Sequence, residues 1–515
     1  MSVNLGIPAV RSSGEGNLFA HEKFQSAAKR ELKNEQLRAN LRHATHTIRD
    51  KRLNVVSELP DWEELRESGS RIKENVMARL PELLEQFEAA FTARGGVIHW
   101  ANDATEANAI VTSLIRATGE TEVVKVKSMA TQEIGLNEHL ESLGINAIET
   151  DLAELIVQLG HDRPSHILVP AIHKNRTQIR DIFRAEIPNA SPDLTDNPKE
   201  LAATARAYLR EKFLNAKVAI SGANFGIAET GTLGVVESEG NGRMCLTLPE
   251  TLITVMGIEK ILPRWEDLGV FMQLLPRSST GERMNPYSSL WTGKNGPDGP
   301  QNIHLVMLDN GRTRALADKN GRSALHCIRC SACMNVCPVY ERTGGHAYGS
   351  TYPGPIGAIL SPLLTGITAE ENSSLPYASS LCGACFDACP VKINIPEILV
   401  DLRAQDVEAQ HSVRKAPTEM DVLMKGASWA LSSGTRLKFL EKGLPAGRLL
   451  AGKDQRISWL PGIAGGWTSS RDIPAPPQSS FRDQWAQREK FQKSQGSQQS
   501  QQSQASQKPT GKQGE

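Results

Sequence analysis

Between residues 62 and 92, apolar side chains recur at three- and four-residue intervals (Val76, Leu80, Leu83, Leu84, Phe87, Phe91), the period of an amphipathic helix. The 60 or so residues before it are polar and rich in Arg, His, Asn and Glu, with helical spacing in places. They predict a helical arm without a core of its own. Beyond residue 92 short apolar runs alternate with helical stretches, the texture of an α/β domain. Strands are predicted at 97–100, 122–127, 147–149, 217–221, 232–236, 252–256 and 304–308. A helix at 103–117 opens behind an Asp cap, and one at 133–143 closes at Gly144. Such short, mixed strands predict an open sheet flanked by helices.

From residue 312 the texture changes. Gly, Pro and Cys become frequent, as in Tyr352-Pro353-Gly354-Pro355. Residues 404–480 are loosely helical and contain the run Ile473-Pro474-Ala475-Pro476-Pro477. Past Phe481 and Trp485 the chain becomes QKSQGSQQSQQSQASQKPTGKQGE, too poor in apolar residues to offset ordering entropy, and is expected to be disordered. The expected segments are 1–60 (arm), 61–311 (α/β domain), 312–403 (cysteine region), 404–485 (C-terminal region) and 486–515 (tail).

At 515 residues the chain has material for several buried cores. Its 58 Lys+Arg balance 58 Asp+Glu. The zero net charge argues against a nucleic-acid binder and leaves no basic field to hold the protein on an anionic membrane. No apolar run approaches the roughly 20 residues of a membrane span. The N-terminal stretch lacks a signal-peptide core, so a reducing, cytoplasmic setting is expected.

Against that background the cysteines stand out. Seven of eight fall between Cys327 and Cys389, and the eighth, Cys245, lies in an apolar stretch and reads as a small core residue. A disulfide framework would be unusual in a reducing compartment, so the clustered thiols read as metal ligands. The first copy of the motif is Cys327-x2-Cys330-x2-Cys333-x3-Cys337-Pro338, the bacterial ferredoxin run in which the fourth Cys ligates the other of two clusters. The second is Cys382-x2-Cys385-x3-Cys389-Pro390, with Ser379 where the first copy has Cys327. The crossed rule gives cluster one Cys327, Cys330, Cys333 and Cys389. It gives cluster two Cys337, Cys382 and Cys385, whose last iron takes another ligand (Ser379, water or a partner's side chain) or is absent, as in a three-iron cluster. Zinc sites generally use two separated ligand pairs, a poor match to this run. His326 and His346 are weighed as cluster-tuning groups against ordinary loop histidines.

Two [4Fe-4S] clusters pass single electrons, whereas removing hydride needs a two-electron group, and no Gly-x-Gly-x-x-Gly follows a strand. Elsewhere, the segment from Gly222 to Thr232 offers Glu229 as a base or nucleophile, against the alternative of a tight turn with a capping Glu. Lys125 and Lys127 beside a strand, and His173 in Pro170-Ala-Ile-His173, are weighed as cleft-lining groups against the Lys and His commonly found at strand ends.

Taken together, KSMATQEIGLNEHLESLGINAIETDLAELIVQL, PSHILVPAIH, GIAETGTL, DNGR, HCIRCSACMNVCPVY, GGHAYGSTYPGPIGAIL and SSLCGACFDACPVKI resemble the lactate-utilisation iron–sulfur family (LutB, also LldF or YkgF), over residues 60–490. The segment 467–485, with Arg471, Pro474 and Phe481, is similar to that family's C-terminal piece. The resemblance implies a LUD domain with a NagB/RpiA/CoA-transferase-like open sheet, then a mainly α-helical two-cluster ferredoxin domain. It implies the crossed ligand sets above, with a three-Cys second copy usual. It also implies action with LutA-like and LutC-like partners and an unidentified electron acceptor in oxidising L-lactate to pyruvate. An iron–sulfur subunit for another 2-hydroxy acid such as glycolate, or a LUD-domain enzyme with its own CoA-like or phosphorylated ligand, are the alternatives.

Overall fold

The α/β region builds ten strands: β1 (Val97–Ala101), β2 (Glu122–Lys125), β3 (Asn146–Glu149), β4 (Val218–Gly222), β5 (Phe225–Ile227), β6 (Thr232–Glu237), β7 (Thr251–Gly257), β8 (Ile261–Leu262), β9 (Tyr287–Trp291) and β10 (Asn302–Leu308). Six of them pair, all parallel, in the order β1-β10-β7-β4-β2-β3. In the middle, Ile220 of β4 lies between Lys125 of β2 and Ile253 of β7. Every residue of β7 is buried, as expected of a parallel strand covered on both faces. The computed structural model describes residues 22–294, 296–414 and 416–505.

All seven expected strands form, but β6 belongs to a second sheet, β8-β5-β6-β9. The apolar pattern did not announce the other members of that sheet. β5 and β8 span only three and two residues, too short to show a period. The helix expected over 62–92 is two, Trp62–Ala78 and Leu80–Thr92, because Pro81 has no N–H to continue the ladder. Likewise the expected 133–143 helix becomes Met129–Glu133 and Leu136–Ser142, parted by Gly135 at φ 61°. Asp103 caps Ala104–Thr118 as expected, its carboxylate accepting from the Glu106 N–H.

Within the described part of the arm, Phe24–Glu31 and Glu35–Ser57 bury Phe24, Ala27, Leu37 and Leu41 in the apolar cluster shared by the second sheet and the cysteine region. The arm thus borrows its core. Residues 1–21 lie outside the described residues. The cysteine region consists of short helices around Gly354–Thr365, which is buried along its whole length. A Cβ at Gly357 would sit 1.5 Å from the Tyr352 carbonyl oxygen, so only glycine allows this packing.

The described residues up to 410 form one unit and those from 411 another. The second unit holds helices Glu419–Leu431 and Gly434–Gly443, the small hairpin β11 (Arg456–Ile457) and β12 (Ile473–Pro474), and helix Phe481–Ala505. That last helix runs into the segment expected to be disordered. Phe481, Trp485 and Phe491 on it are exposed, so local propensity rather than burial accounts for it, Gln being a good helix former. The rest of the tail, 506–515, lies outside the described residues. No described helix is long and apolar enough to cross a membrane.

Candidate metal centre

The two copies of the cysteine motif fold alike. In the first, Cys330 is followed by Ser331 at φ 59° and the short helix Ala332–Asn335 carrying Cys333. In the second, Cys382 is followed by Gly383 at φ 85° and the helix Ala384–Ala388 carrying Cys385. The left-handed residue in each turns the chain so that the next thiol follows within one tight loop. Arg329, Leu381 and Lys392 also take positive φ, unusual for residues with a Cβ and a sign of a backbone held by its surroundings. The two short helices pack on each other.

This pairing brings Cys389 back to the first copy. Cys327, Cys330, Cys333 and Cys389 line one small cavity with Ile167, Arg329 and Ile393. Burial, and then Cys389 and Cys327, push the Cys330 thiol up to about 12. Burial also lifts Cys389 to about 11, with Cys327 adding to it. Cys385 rises to about 12 through burial and then Cys337 and Cys382. Cys333 is raised by burial and by neighbours from both groups, among them Cys330 and Cys385. Six of the seven thiols are buried or half-buried, and only Cys382 is exposed.

The donor set suits a multinuclear cluster. Among the described residues, no three of these sulfurs converge within 4.8 Å of one another, as ligands of one tetrahedral ion with ~2.3 Å bonds would. Amide N–H groups point at sulfur: Arg329 at Cys327 (3.4 Å), Tyr340 at Cys337 (3.5 Å) and Ile393 at Cys389 (3.4 Å). Such bonds stabilise thiolates and tune clusters. Cations gather too. Arg66 donates to the Cys389 carbonyl (2.8 Å) and Arg52 to that of Ala388 (3.0 Å). Lys260 reaches the Cys327 carbonyl at 3.4 Å. Burial, and then Lys260, hold Lys73 down to about 7, while its ammonium donates to the Glu259 carbonyl.

A buried ion network joins the cysteine region to the α/β domain. Arg312 makes a two-pronged pair with Glu133 (2.8 and 2.9 Å) and a third bond to Glu259 (2.5 Å). Tyr352 donates to Glu133, and Arg329 lies over the Tyr352 ring and 3.4 Å from Glu259. Nearby, the 164–173 loop docks through its backbone and His166. The Tyr340 hydroxyl donates to the Ser165 carbonyl (2.7 Å), and a Cβ at Gly345 would lie 1.8 Å from that oxygen.

The remaining sequence candidates separate. Lys127 lines a second cavity, of about 360 Å3, at the carboxyl ends of β2, β4 and β7. Lys125 is instead buried in a pair with Glu149 (2.5 Å). Glu229 lies outside this cavity and accepts the Trp265 N–H (2.8 Å) at the start of Trp265–Ser279, a capping contact, while lining a separate cavity with Arg264 and Asp267. His173 is held by Asp162 (2.9 Å) and Ser165 (3.0 Å), and His346 by the Arg163 carbonyl (2.7 Å). Burial pushes His326 down to about 4, which keeps it neutral. Cys245 is fully buried against Thr150 and lifted by burial to about 12, an inert core thiol. The Ser379 hydroxyl accepts from the Leu381 N–H (3.1 Å).

Sequence reasoning missed Arg52, Arg66, Lys73, Lys260 and Arg329. Four come from distant segments and carry no local signal. Arg329 did carry one, a charged residue enclosed within Cys-x-x-Cys.

The LUD domain family matches residues 84–313, and the 4Fe-4S dicluster domain family residues 323–393. Lactate utilization protein B of Oceanobacillus iheyensis is 45% identical over 466 residues, covering 90% of this chain and 95% of that protein. Proteins of the same name from Macrococcus caseolyticus and Bacillus subtilis are each 43% identical over 91% of this chain, covering 98% and 97% of their own lengths.

Proposed function

Since this chain belongs to the lactate utilization protein B family and carries a 4Fe-4S dicluster domain, we propose that it is the electron-relay subunit of a complex that oxidises L-lactate to pyruvate. In this reading Cys327, Cys330, Cys333 and Cys389 hold cluster one, and Cys337, Cys382 and Cys385 hold cluster two. When bound, the clusters supply one-electron transfer. The chain's own residues supply the rest. Paired helices Ala332–Asn335 and Ala384–Ala388 set the two ligand groups side by side. Amide donors and buried cations offset the negative charge of the thiolates. The edge at Cys382, with exposed Tyr377, Leu381 and Phe386 around it, is where an electron partner meets the relay.

LutA-like and LutC-like proteins are the partners in this reading, one of them bringing the two-electron step that one-electron centres lack. A reducing, cytoplasmic setting belongs to it as well, because ligating thiols must stay reduced. The observation that carries the proposal is the convergence of Cys389 with Cys327, Cys330 and Cys333 on one cavity.

The test is anaerobic reconstitution of the full chain alone and with its two partners. L-lactate should reduce the clusters only when the partners are present. Sustained lactate turnover by the isolated chain would overturn the subunit reading.

A further inference from the structure

We propose that the cavity at the carboxyl ends of β2, β4 and β7 binds a small carboxylate monoanion that also carries a hydrogen-bond donor, with Arg329 as its anchor. The place is where an open parallel sheet takes ligands. From β2 the chain runs outward to β3, and from β4 it runs the other way to β7, so adjacent β2 and β4 form a topological switch point. At about 360 Å3 the cavity lies in the range of small-ligand sites, roughly 300–1,000 Å3.

Arg329 lines this cavity and also the cysteine cavity. Its side chain is only 8% exposed and meets Glu259 and the Cys327 thiol, yet among the described residues Nη1 has no hydrogen-bond partner. A buried, unpaired N–H is costly. That cost is relieved if a ligand completes the site. Two further lining residues show the same deficit, Asn285 at Oδ1 and Thr280 at Oγ1.

Charge narrows the class. Lys260 and Arg329 offer a carboxylate a cation and a planar fork. Asp151, Glu237 and Glu239 also line the cavity and would repel a polyanion such as a nucleotide. Glu237 already accepts the N–H groups of Gly240, Gly242 and Arg243, whereas Glu239, among the described residues, accepts only from Leu152 and has capacity for a ligand hydroxyl or ammonium.

The test is titration calorimetry on the anaerobically reconstituted full chain, without partners, using L-lactate, L-alanine, propionate and inorganic phosphate. Only the choice of L-lactate rests on the function proposed above. L-lactate or L-alanine should bind saturably, propionate about tenfold more weakly for want of the donor, and phosphate not at all. Arg329→Gln should weaken binding tenfold or more. Ala223→Met, which fills the cavity away from the cysteines, should block binding while iron content stays at the wild-type level. L-alanine binding without L-lactate supports the site and removes L-lactate as its occupant. Partner-dependent reduction is read separately, so site and relay can fail independently. No saturable carboxylate binding, tighter binding of phosphate, or wild-type binding in both variants would overturn the proposal.

Discussion

The two copies of the cysteine motif share a local fold and differ in where they lie. Cys330 and Cys333 are buried in a core, with Arg52, Arg66, Lys73, Lys260 and Arg329 gathered about their neighbourhood. The second copy puts Cys382 at the surface, and the acidic Glu341 neighbours its companion Cys337. Spacing within a motif sets which thiols meet. Burial and nearby charge, supplied by segments hundreds of residues away, set how tightly a centre is held and how readily it accepts an electron.

The most severe way to break this comparison is to remove one thiol from each copy. Cys330→Ser should cost cluster one and much of the fold with it, lowering Tm by roughly 10 °C or more, because bound metal centres contribute to folding directly. Cys382→Ser should lose roughly half the iron while stability stays within about 1 kcal/mol of wild type. Iron assay and thermal melts under anaerobic conditions distinguish the two. Equal damage from both would erase the difference claimed between core and edge.

Next comes the joint that buries the first copy. Arg312→Ala leaves the buried Glu133 carboxylate without its paired cation and Glu259 with only Arg329 3.4 Å away, and should cost about 3–5 kcal/mol in chemical denaturation. A cost below 1 kcal/mol would mean the network is not holding the domains together.

A smaller effect, remote from both copies, calibrates the melts. Burial, and then Glu149, push the Glu154 carboxyl up to about 8. A carboxyl raised in the folded state carries no penalty below its unfolded value near 4.3. The penalty grows as pH climbs toward 8. Glu154→Gln should therefore match wild type at pH 4 and exceed it by roughly 1–3 kcal/mol at pH 9. An advantage at pH 4 instead would reverse the sign.

Smallest in energy, Arg52→Gln should lower the potential of cluster one by on the order of several tens of millivolts and leave cluster two unmoved. EPR-monitored redox titration reads this, and an equal shift in both signals would contradict the charge asymmetry.

Much of this was legible in the chain. The seven cysteines and their crossed spacing are local signals, and the strands at 97–100, 252–256 and 304–308 are long enough to announce themselves. What escaped was non-local or too short. β5 and β8 exist because each edge finds a neighbour, not because two or three residues form a pattern. Glu229 beside glycines allowed both a base and a capping Glu, and the Trp265 N–H it accepts comes from a segment 36 residues away, beyond the reach of local pattern. Lys73 and Arg66 lie on Trp62–Ala78 with no local mark of burial, because their partners, the carbonyls of Glu259 and Cys389, come from far along the chain.

The central claim is that seven thiols of one chain hold two iron–sulfur clusters side by side. The most direct test is iron and acid-labile sulfide per chain in anaerobically purified protein, with EPR on reduction. About seven or eight irons, matching sulfide and magnetically interacting signals are expected. Colourless, well-folded protein with zinc or no metal would contradict the account.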